Sequence, residues 1–461
     1  MNPTVKGLNN QEECMKTLKV TSALVLATLV LNACTLAMSF PREAPRIVLG
    51  GKLNCPYVST SGGTAYLQIS LSASDVVRPD RRPMNIACVL DRSGSMGDAR
   101  KIEYAKQALL RLIDQLTSQD IFSLVIYDDV IEVPFPAGYV ESKEALRRLV
   151  DRIDPRGSTN LGGGMTEGFR QVERNLRKES VNRVILLSDG LANRGVTDPN
   201  ELKRIAGRYR ERAISLTTMG VGLEYNENLM VDLSQAGGGN YYFIESPFSL
   251  ASIMSGELNT LSCVVVQNAS IVLTLGHGVR VNDVIGCDHR EAGNTYIVPV
   301  GDVCANDHRE FTVELSIPEG TGLLKVATGE LKYDSERIHG ETSSAFTVYA
   351  HYTRDAAVIE KNKDWETQAR ADVAVSTRAV EHAMNLLDEG KHAEAQQTLN
   401  EAKQALQSAP AADMSVEAAA AIRNQAAIIS GYSTTLRDSA SDARLAKKSI
   451  QYDNYRMQRK K

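Results

Sequence analysis

Between residues 82 and 246 the chain alternates short runs that are apolar on both faces with longer amphipathic stretches. Ile86–Leu90, Phe122–Tyr127, Val184–Leu187 and Ile214–Met219 are the uninterrupted runs. Strands without a polar face belong to a parallel sheet covered by helices on both sides. The stretches between them, near 101–116, 144–153, 161–176, 200–212 and 227–236, have helical spacing. The first puts Ile102, Ala105, Leu109, Leu112, Ile113 and Leu116 on one stripe. This alternation predicts a doubly wound, mostly parallel α/β sheet over 82–246. From 264 to 352 the period changes to two, in the segments 270–275, 295–300, 311–317, 322–328 and 345–349. An antiparallel β-sandwich over 255–352 is expected. Ala65–Leu71 has the same period but precedes the α/β unit, so residues 45–81 should supply the first strands of the sandwich and the α/β unit should be inserted in it.

Beyond residue 355 the chain is helical and alanine-rich to 461. Residues 379–406 form a helix pair turning at Gly390, similar to a single tetratricopeptide-like unit, which cannot bury a core alone and should dock on its neighbours. The closing stretch, Lys447–Lys461, is basic and is expected to be a solvated helical tail.

At the other end, Lys16 and Lys19 precede the apolar run Val20–Leu31, which leads into Leu31-Asn32-Ala33-Cys34. A basic start, a short apolar core and small residues compose an export signal. The run is shorter than the roughly 20 apolar residues of a membrane span. Its ending resembles a bacterial lipobox, with Asn32 as a departure, which implies cleavage before Cys34 and lipid on its thiol. Segment 1–34 is therefore read as a lipoprotein signal, a cleaved signal without lipid and an uncleaved anchor being the other readings. Met15 is the natural start of such a signal.

Composition narrows the partners. With 43% apolar residues, 23% charged residues and a net charge of −4, the protein is globular and has no broad field for nucleic acid. Seven cysteines, at 14, 34, 55, 88, 263, 287 and 304, include no CxxC pair, and no Cys/His cluster has zinc spacing. Cys88 reads as a small core residue. Cys287 with Cys304 is the expected disulfide in an exported protein, although spacing alone leaves the connectivity open.

Three loops follow predicted elements and carry oxygen ligands. Ile86–Leu90 ends in Asp91-Arg92-Ser93-Gly94-Ser95; Gly157-Ser158-Thr159-Asn160 precedes a helix; Val184–Leu187 ends in Ser188-Asp189-Gly190. In an open parallel sheet such loops meet where strand order reverses. Two carboxylates and three hydroxyls suit a hard cation, and they leave a dication electron-poor enough to accept another anion. These motifs resemble the von Willebrand factor type A family, whose adhesion site reads DxSxS, then Thr, then Asp, and the likeness covers about Pro83–Ser246. It implies that Ser93, Ser95 and Thr159 hold the ion, with Asp91 and Asp189 acting directly or through water, and that a partner's carboxylate completes the shell. Mg²⁺ is the first expectation, with Mn²⁺ or Ca²⁺ as the other ions these donors take. Gly157–Leu161, Leu187–Gly190 with Asn193, and Gly220–Leu223 with Gly237–Tyr242 look like the signatures of bacterial exported members.

The expected function is thus a metal-ion-dependent adhesion or scaffold module of the bacterial cell envelope, tethered to the membrane, capturing an acidic side chain of a protein partner and catalysing nothing. A cytoplasmic adaptor for an AAA+ ATPase, a role some relatives have, is the alternative. A hydrolase using Ser93 or Ser95 is a third reading, but such a serine needs a base. All seven histidines (277, 289, 308, 339, 351, 382 and 392) lie outside the α/β unit, and Gly162–Gly164 has no following lysine to make a phosphate loop.

Overall fold

A computed structural model describes residues 47–75, 81–334, 344–410, 413–438 and 443–459. The export signal and Cys34 lie outside these residues. Among the described residues no helix is long and apolar enough to cross a membrane.

The chain opens with three strands, β1 (Ile47–Leu53), β2 (Tyr57–Ser59) and β3 (Gly63–Ala73). It then enters the α/β unit: β4 (Met84–Asp91), α1 (Lys101–Gln115), β5 (Ile121–Tyr127), β6 (Ile131–Tyr139), α2 (Lys143–Asp151), α3 (Leu161–Glu173), β7 (Val181–Ser188), α4 (Pro199–Arg210), β8 (Ser215–Val221), α5 (Glu227–Ala236), β9 (Gly238–Ile244) and α6 (Leu250–Ser262). The strand order is β6-β5-β4-β7-β8-β9, parallel except for β6. From β4 the chain first builds outward through β5, then returns to place β7 on the other side, so the order reverses between β4 and β7. Alternation along β4 sends Ile86, Cys88 and Leu90 to the face covered by α1, α2 and α6, and Ala87 and Val89 to the face covered by α3, α4 and α5. Burial pushes the Cys88 thiol up to about 12, which suits an inert core residue. The helical cover continues past Ser246, where the sequence pattern places the end of the unit, because α6 buries Leu250, Met254, Leu258 and Leu261 in the same core as α1.

The glycines of α3 are packing residues. A Cβ on Gly164 would meet the Tyr127 ring at 2.5 Å, and one on Gly168 would meet Val89 Cγ2 at 2.3 Å. Without them the helix could not lie this close to β4 and β5.

The remaining strands are β10 (Val264–Leu275), β11 (Arg280–Val284), β12 (Arg290–Ala292), β13 (Thr295–Cys304), β14 (His308–Ile317), β15 (Leu323–Asp334) and β16 (Ala345–Thr353). They form two sheets, ordered β1-β3-β14-β11 and β12-β13-β10-β15-β16-β2. β3 pairs antiparallel with β14, and β2 pairs parallel with β16, so strands from both sides of the α/β unit complete one sandwich and that unit is an insertion. The sandwich holds the amino ends of the parallel strands. Gln267 Nε2 donates to Ser180 O at 2.9 Å, and buried Arg183 pairs with Asp302 at 2.8 Å. The carboxyl ends of those strands point away from the sandwich.

The expected Cys287–Cys304 disulfide is corrected: Cys304 is bonded to Cys263, at the end of α6. Register explains the difference. β10 lies against β13 with Val264 opposite Cys304, which brings the adjacent Cys263 to it, whereas Cys287 packs at the edge of the sandwich core.

The helical region comprises α7 (Ala356–Lys361), α8 (Trp365–Asp388), α9 (His392–Gln407), α10 (Val416–Asp438) and α11 (Ala443–Arg459). Gly390, at φ 76°, turns α8 into α9. The pair does not stand alone. It shares a core with α10 (Val380, Leu399, Ile422, Ile429), and Arg378 ties α8 to the sandwich through Glu314 at 2.8 Å and Asp283 at 3.0 Å.

The closing helix is not the solvated tail its charge suggests. Tyr452 and Tyr455, three residues apart on one face, pack edge-on against Tyr241 of β9, and Tyr455 Oη accepts the Tyr241 amide at 3.0 Å. Lys448 is buried, donates to Tyr225 O at 2.8 Å, sits 4.0 Å above the Tyr225 ring and pairs with Glu227. Tyr455→Ala should therefore destabilise the protein by about 3 kcal/mol, read as a lower urea midpoint; a shift within about 0.5 kcal/mol, the surface norm, would return α11 to solvent. Peptide mapping without reduction should recover Cys263 linked to Cys304, and a Cys287–Cys304 peptide would contradict the register above.

Candidate metal centre

The crevice where strand order reverses is bounded by the ends of β4 and β7. Asp91 closes β4, and Asp189 follows the last residue of β7; both are fully buried. Two carboxylates withdrawn from water need donors. Asp91 Oδ1 accepts the Ser93 amide at 2.8 Å, while Oδ2 accepts Ser188 Oγ at 2.6 Å and Tyr127 Oη at 3.3 Å. Asp189 Oδ1 accepts Ser95 Oγ at 2.9 Å, and Oδ2 accepts Lys101 Nζ at 2.7 Å.

The hydroxyls meet between these acids. Ser93 Oγ and Ser95 Oγ are 3.2 Å apart, as expected for residues two apart in a turn around Gly94. Thr159 comes from the loop before α3. That loop is tied to the first by Gly94 N to Gly157 O at 3.1 Å and Arg156 N to Arg92 O at 2.7 Å. Arg92 and Arg156 both hold Asp128 and Glu132, at 2.6 to 2.8 Å, so two guanidiniums clamp the loops from outside. Asn193 Oδ1 accepts the Thr159 amide at 2.9 Å. A Cβ on Gly190 would meet Thr159 Oγ1 at 3.2 Å and Ser95 Oγ at 3.7 Å, so both hydroxyls approach one point beside Asp189. Asp91, Ser93, Ser95, Thr159 and Asp189 are thus gathered in one crevice. Lys101, Ser188 and Tyr127 join them unannounced. The signal for Ser188 and Tyr127 was their place at the carboxyl ends of β7 and β5; Lys101 is the first residue of a helix that begins six positions after Ser95.

Among the described residues no group of three or more His, Cys, Asp or Glu side chains has metal-binding geometry. A cation here relies on hydroxyls. The spacing suits a small hard ion: octahedral Mg²⁺ holds oxygens at about 2.1 Å and so spaces neighbouring ligands by about 3.0 Å, close to the 3.2 Å and 2.9 Å that separate Ser95 Oγ from Ser93 Oγ and Asp189 Oδ1. The Asp91 carboxyl is perturbed by its burial. Burial pushes it up to about 6, against the hydrogen bonds from Ser188 and Ser93, and nearby Asp189 adds to the rise.

An open, mostly parallel sheet with two buried carboxylates and their hydroxyl partners at its switch point defines a class of α/β domain. Residues 85–256 match the family model of the von Willebrand factor type A domain, and the chain carries a domain of that family. Over 257 residues it is 27% identical to the protein YfbK of Escherichia coli, an alignment covering 54% of this chain and 45% of that one. The chain spans about half the length of the curated relatives it matches. The whole fold is similar to a von Willebrand factor type A protein from Catenulispora acidiphila, with TM-score 0.71 and 17% identity over 91% of this chain and 98% of that one. It is also similar to the ArnB paralog VWA2 from Sulfolobus acidocaldarius, with TM-score 0.57 and 18% identity over 90% and 98%.

In cation-free protein the raised Asp91 carboxyl makes stability depend on pH. Unfolded, it titrates near 3.8; folded, near 6. Protonation therefore favours the fold, and stability present below about pH 4 is lost as pH rises through 6, by about 3 kcal/mol in all. In EDTA, the urea midpoint of wild type should fall between pH 4 and pH 7.5 relative to Asp91→Asn; parallel pH profiles would contradict this.

Proposed function

We propose that the crevice binds one divalent cation, Mg²⁺ first and Mn²⁺ or Ca²⁺ second, and that the cation captures a carboxylate from a protein partner. Ser93, Ser95 and Thr159 would hold the ion through their hydroxyls, with Asp91 and Asp189 acting directly or through water. When bound, it supplies an electron-poor Lewis acid with room for one anionic ligand. The residues around it fix the geometry: Ser188 and Tyr127 orient Asp91, and the Arg92–Arg156 clamp sets the Thr159 loop. Capture through a metal is short-range and directional, so it sets register while the surrounding surface chooses the partner.

The observation that carries this reading is placement. The crevice opens at the carboxyl ends of the parallel strands, the end opposite the sandwich, between exposed loops at 97–100 and 193–200. Ser95, partly exposed, is the member of the cluster nearest solvent. What supports binding over hydrolysis is the company of the serines, since Ser93 and Ser95 bond each other and Asp189 and no histidine. The Lys16–Cys34 signal supports an envelope location, with the protein tethered through lipid on Cys34 or an uncleaved anchor.

Wild type in 1 mM Mg²⁺ at pH 7.5 should melt higher than in EDTA, by an amount corresponding to about 2.7 kcal/mol if the ion is present at 100 times its dissociation constant. Asp91→Ala and Ser95→Ala should lose that increment, and an envelope pull-down with wild type should recover a partner that either variant, or EDTA, releases. Equal melting with and without the ion would overturn the proposal.

A further inference from the structure

Lys101 stands out inside this crevice. It is 8% exposed, and its ammonium donates to Asp189 Oδ2 at 2.7 Å, lies 3.5 Å from Ser95 O and 4.0 Å from the exposed Glu224 carboxylate. Space for it is provided across the crevice by Gly222, at φ 77°, where a Cβ would come within 3.3 Å of Lys101 Cε. Asp189 is thereby divided: Oδ1 faces Ser95 and the hydroxyl cluster, while Oδ2 faces the lysine.

We infer that Lys101 is a built-in counter-charge that weakens the crevice's hold on its cation in order to strengthen its hold on a carboxylate. The inference rests on the cation site proposed above and concerns how that site is tuned. Two carboxylates and a dication sum to zero charge. With the lysine the buried groups keep one positive charge, since the Glu224 carboxylate at 4.0 Å is exposed and screened by water while Asp91 and Asp189 are not. The same ammonium repels the dication and attracts an incoming acidic side chain.

The test needs no partner. Mn²⁺ is titrated into wild type, Lys101→Met, which keeps the stem and removes the charge, and Lys101→Arg, which keeps the charge; free Mn²⁺ is read by electron paramagnetic resonance. Acetate is then added to the loaded proteins as the carboxylate probe. Lys101→Met should bind Mn²⁺ roughly ten-fold or more tightly than wild type, and loaded Lys101→Met should bind acetate more weakly. Lys101→Arg should stay within about three-fold of wild type on both counts. Uptake by Lys101→Met where wild type shows none also supports the counter-charge. Equal or weaker Mn²⁺ binding by Lys101→Met overturns it while leaving the cation site intact; no uptake by any of the three proteins overturns the cation site and the counter-charge together. If Lys101→Met does not fold by circular dichroism, Lys101→Gln carries the same expectation.

Discussion

Two carboxylates removed from water, each bonded to one serine of the Ser93–Ser95 pair, are the constraint on which the rest of this structure depends. Asp91 and Asp189 sit at zero exposure at the ends of adjacent strands. Burying them is tolerable only because each oxygen is supplied with a donor, and those donors come from every neighbouring element: the turn after β4, the ends of β5 and β7, and the start of α1. Even the glycines of α3 belong to this arrangement. Gly164 lets the Tyr127 ring lie under the helix, where its hydroxyl reaches Asp91.

The other domains hold this crevice still and leave it open. The sandwich grips the amino ends of the sheet through Arg183 and Asp302, and α6 is fixed at the same end by Glu257, which accepts Thr217 Oγ1 at 2.5 Å and Tyr242 Oη at 2.7 Å. The disulfide from Cys263 to Cys304 joins the end of α6 to β13. On another flank α11 closes the β9 edge, with Tyr455 on the strand backbone and Lys448 on Glu227. The carboxyl-end loops at 97–100 and 193–200 stay exposed to solvent.

Much of this was legible in the chain. Strands such as Ile86–Leu90, apolar on both faces, carry their own signal for a buried parallel sheet, and the stray strand at 65–71 was enough to imply an inserted unit. That Asp91, Ser93, Ser95, Thr159 and Asp189 come together could be read because loops after parallel strands converge by topology, not by sequence proximity. What could not be read depended on tertiary pairing. β6 is an antiparallel edge strand whose alternation of Ile131, Val133 and Phe135 is interrupted by Pro134 and Pro136, which demote it as a strand in the sequence. The basic character of α11 hid a face of two tyrosines and a lysine whose partners lie more than 200 residues away. The disulfide followed from the β10–β13 register, which spacing does not encode. Lys101 looked like an ordinary first-turn residue of an amphipathic helix, and only the fold turns it toward Asp189.

In the proposed site, five side chains from three loops hold one cation with a vacancy for an acidic ligand. Its most direct test is a crystal of the protein grown with Mn²⁺ and diffracted at the manganese edge. A single anomalous peak is expected in the crevice, at coordination distance from the Ser93 and Ser95 hydroxyls and capped by water or an added carboxylate. A crevice without a peak, or a peak whose shell is completed entirely by the protein's own side chains, would contradict it.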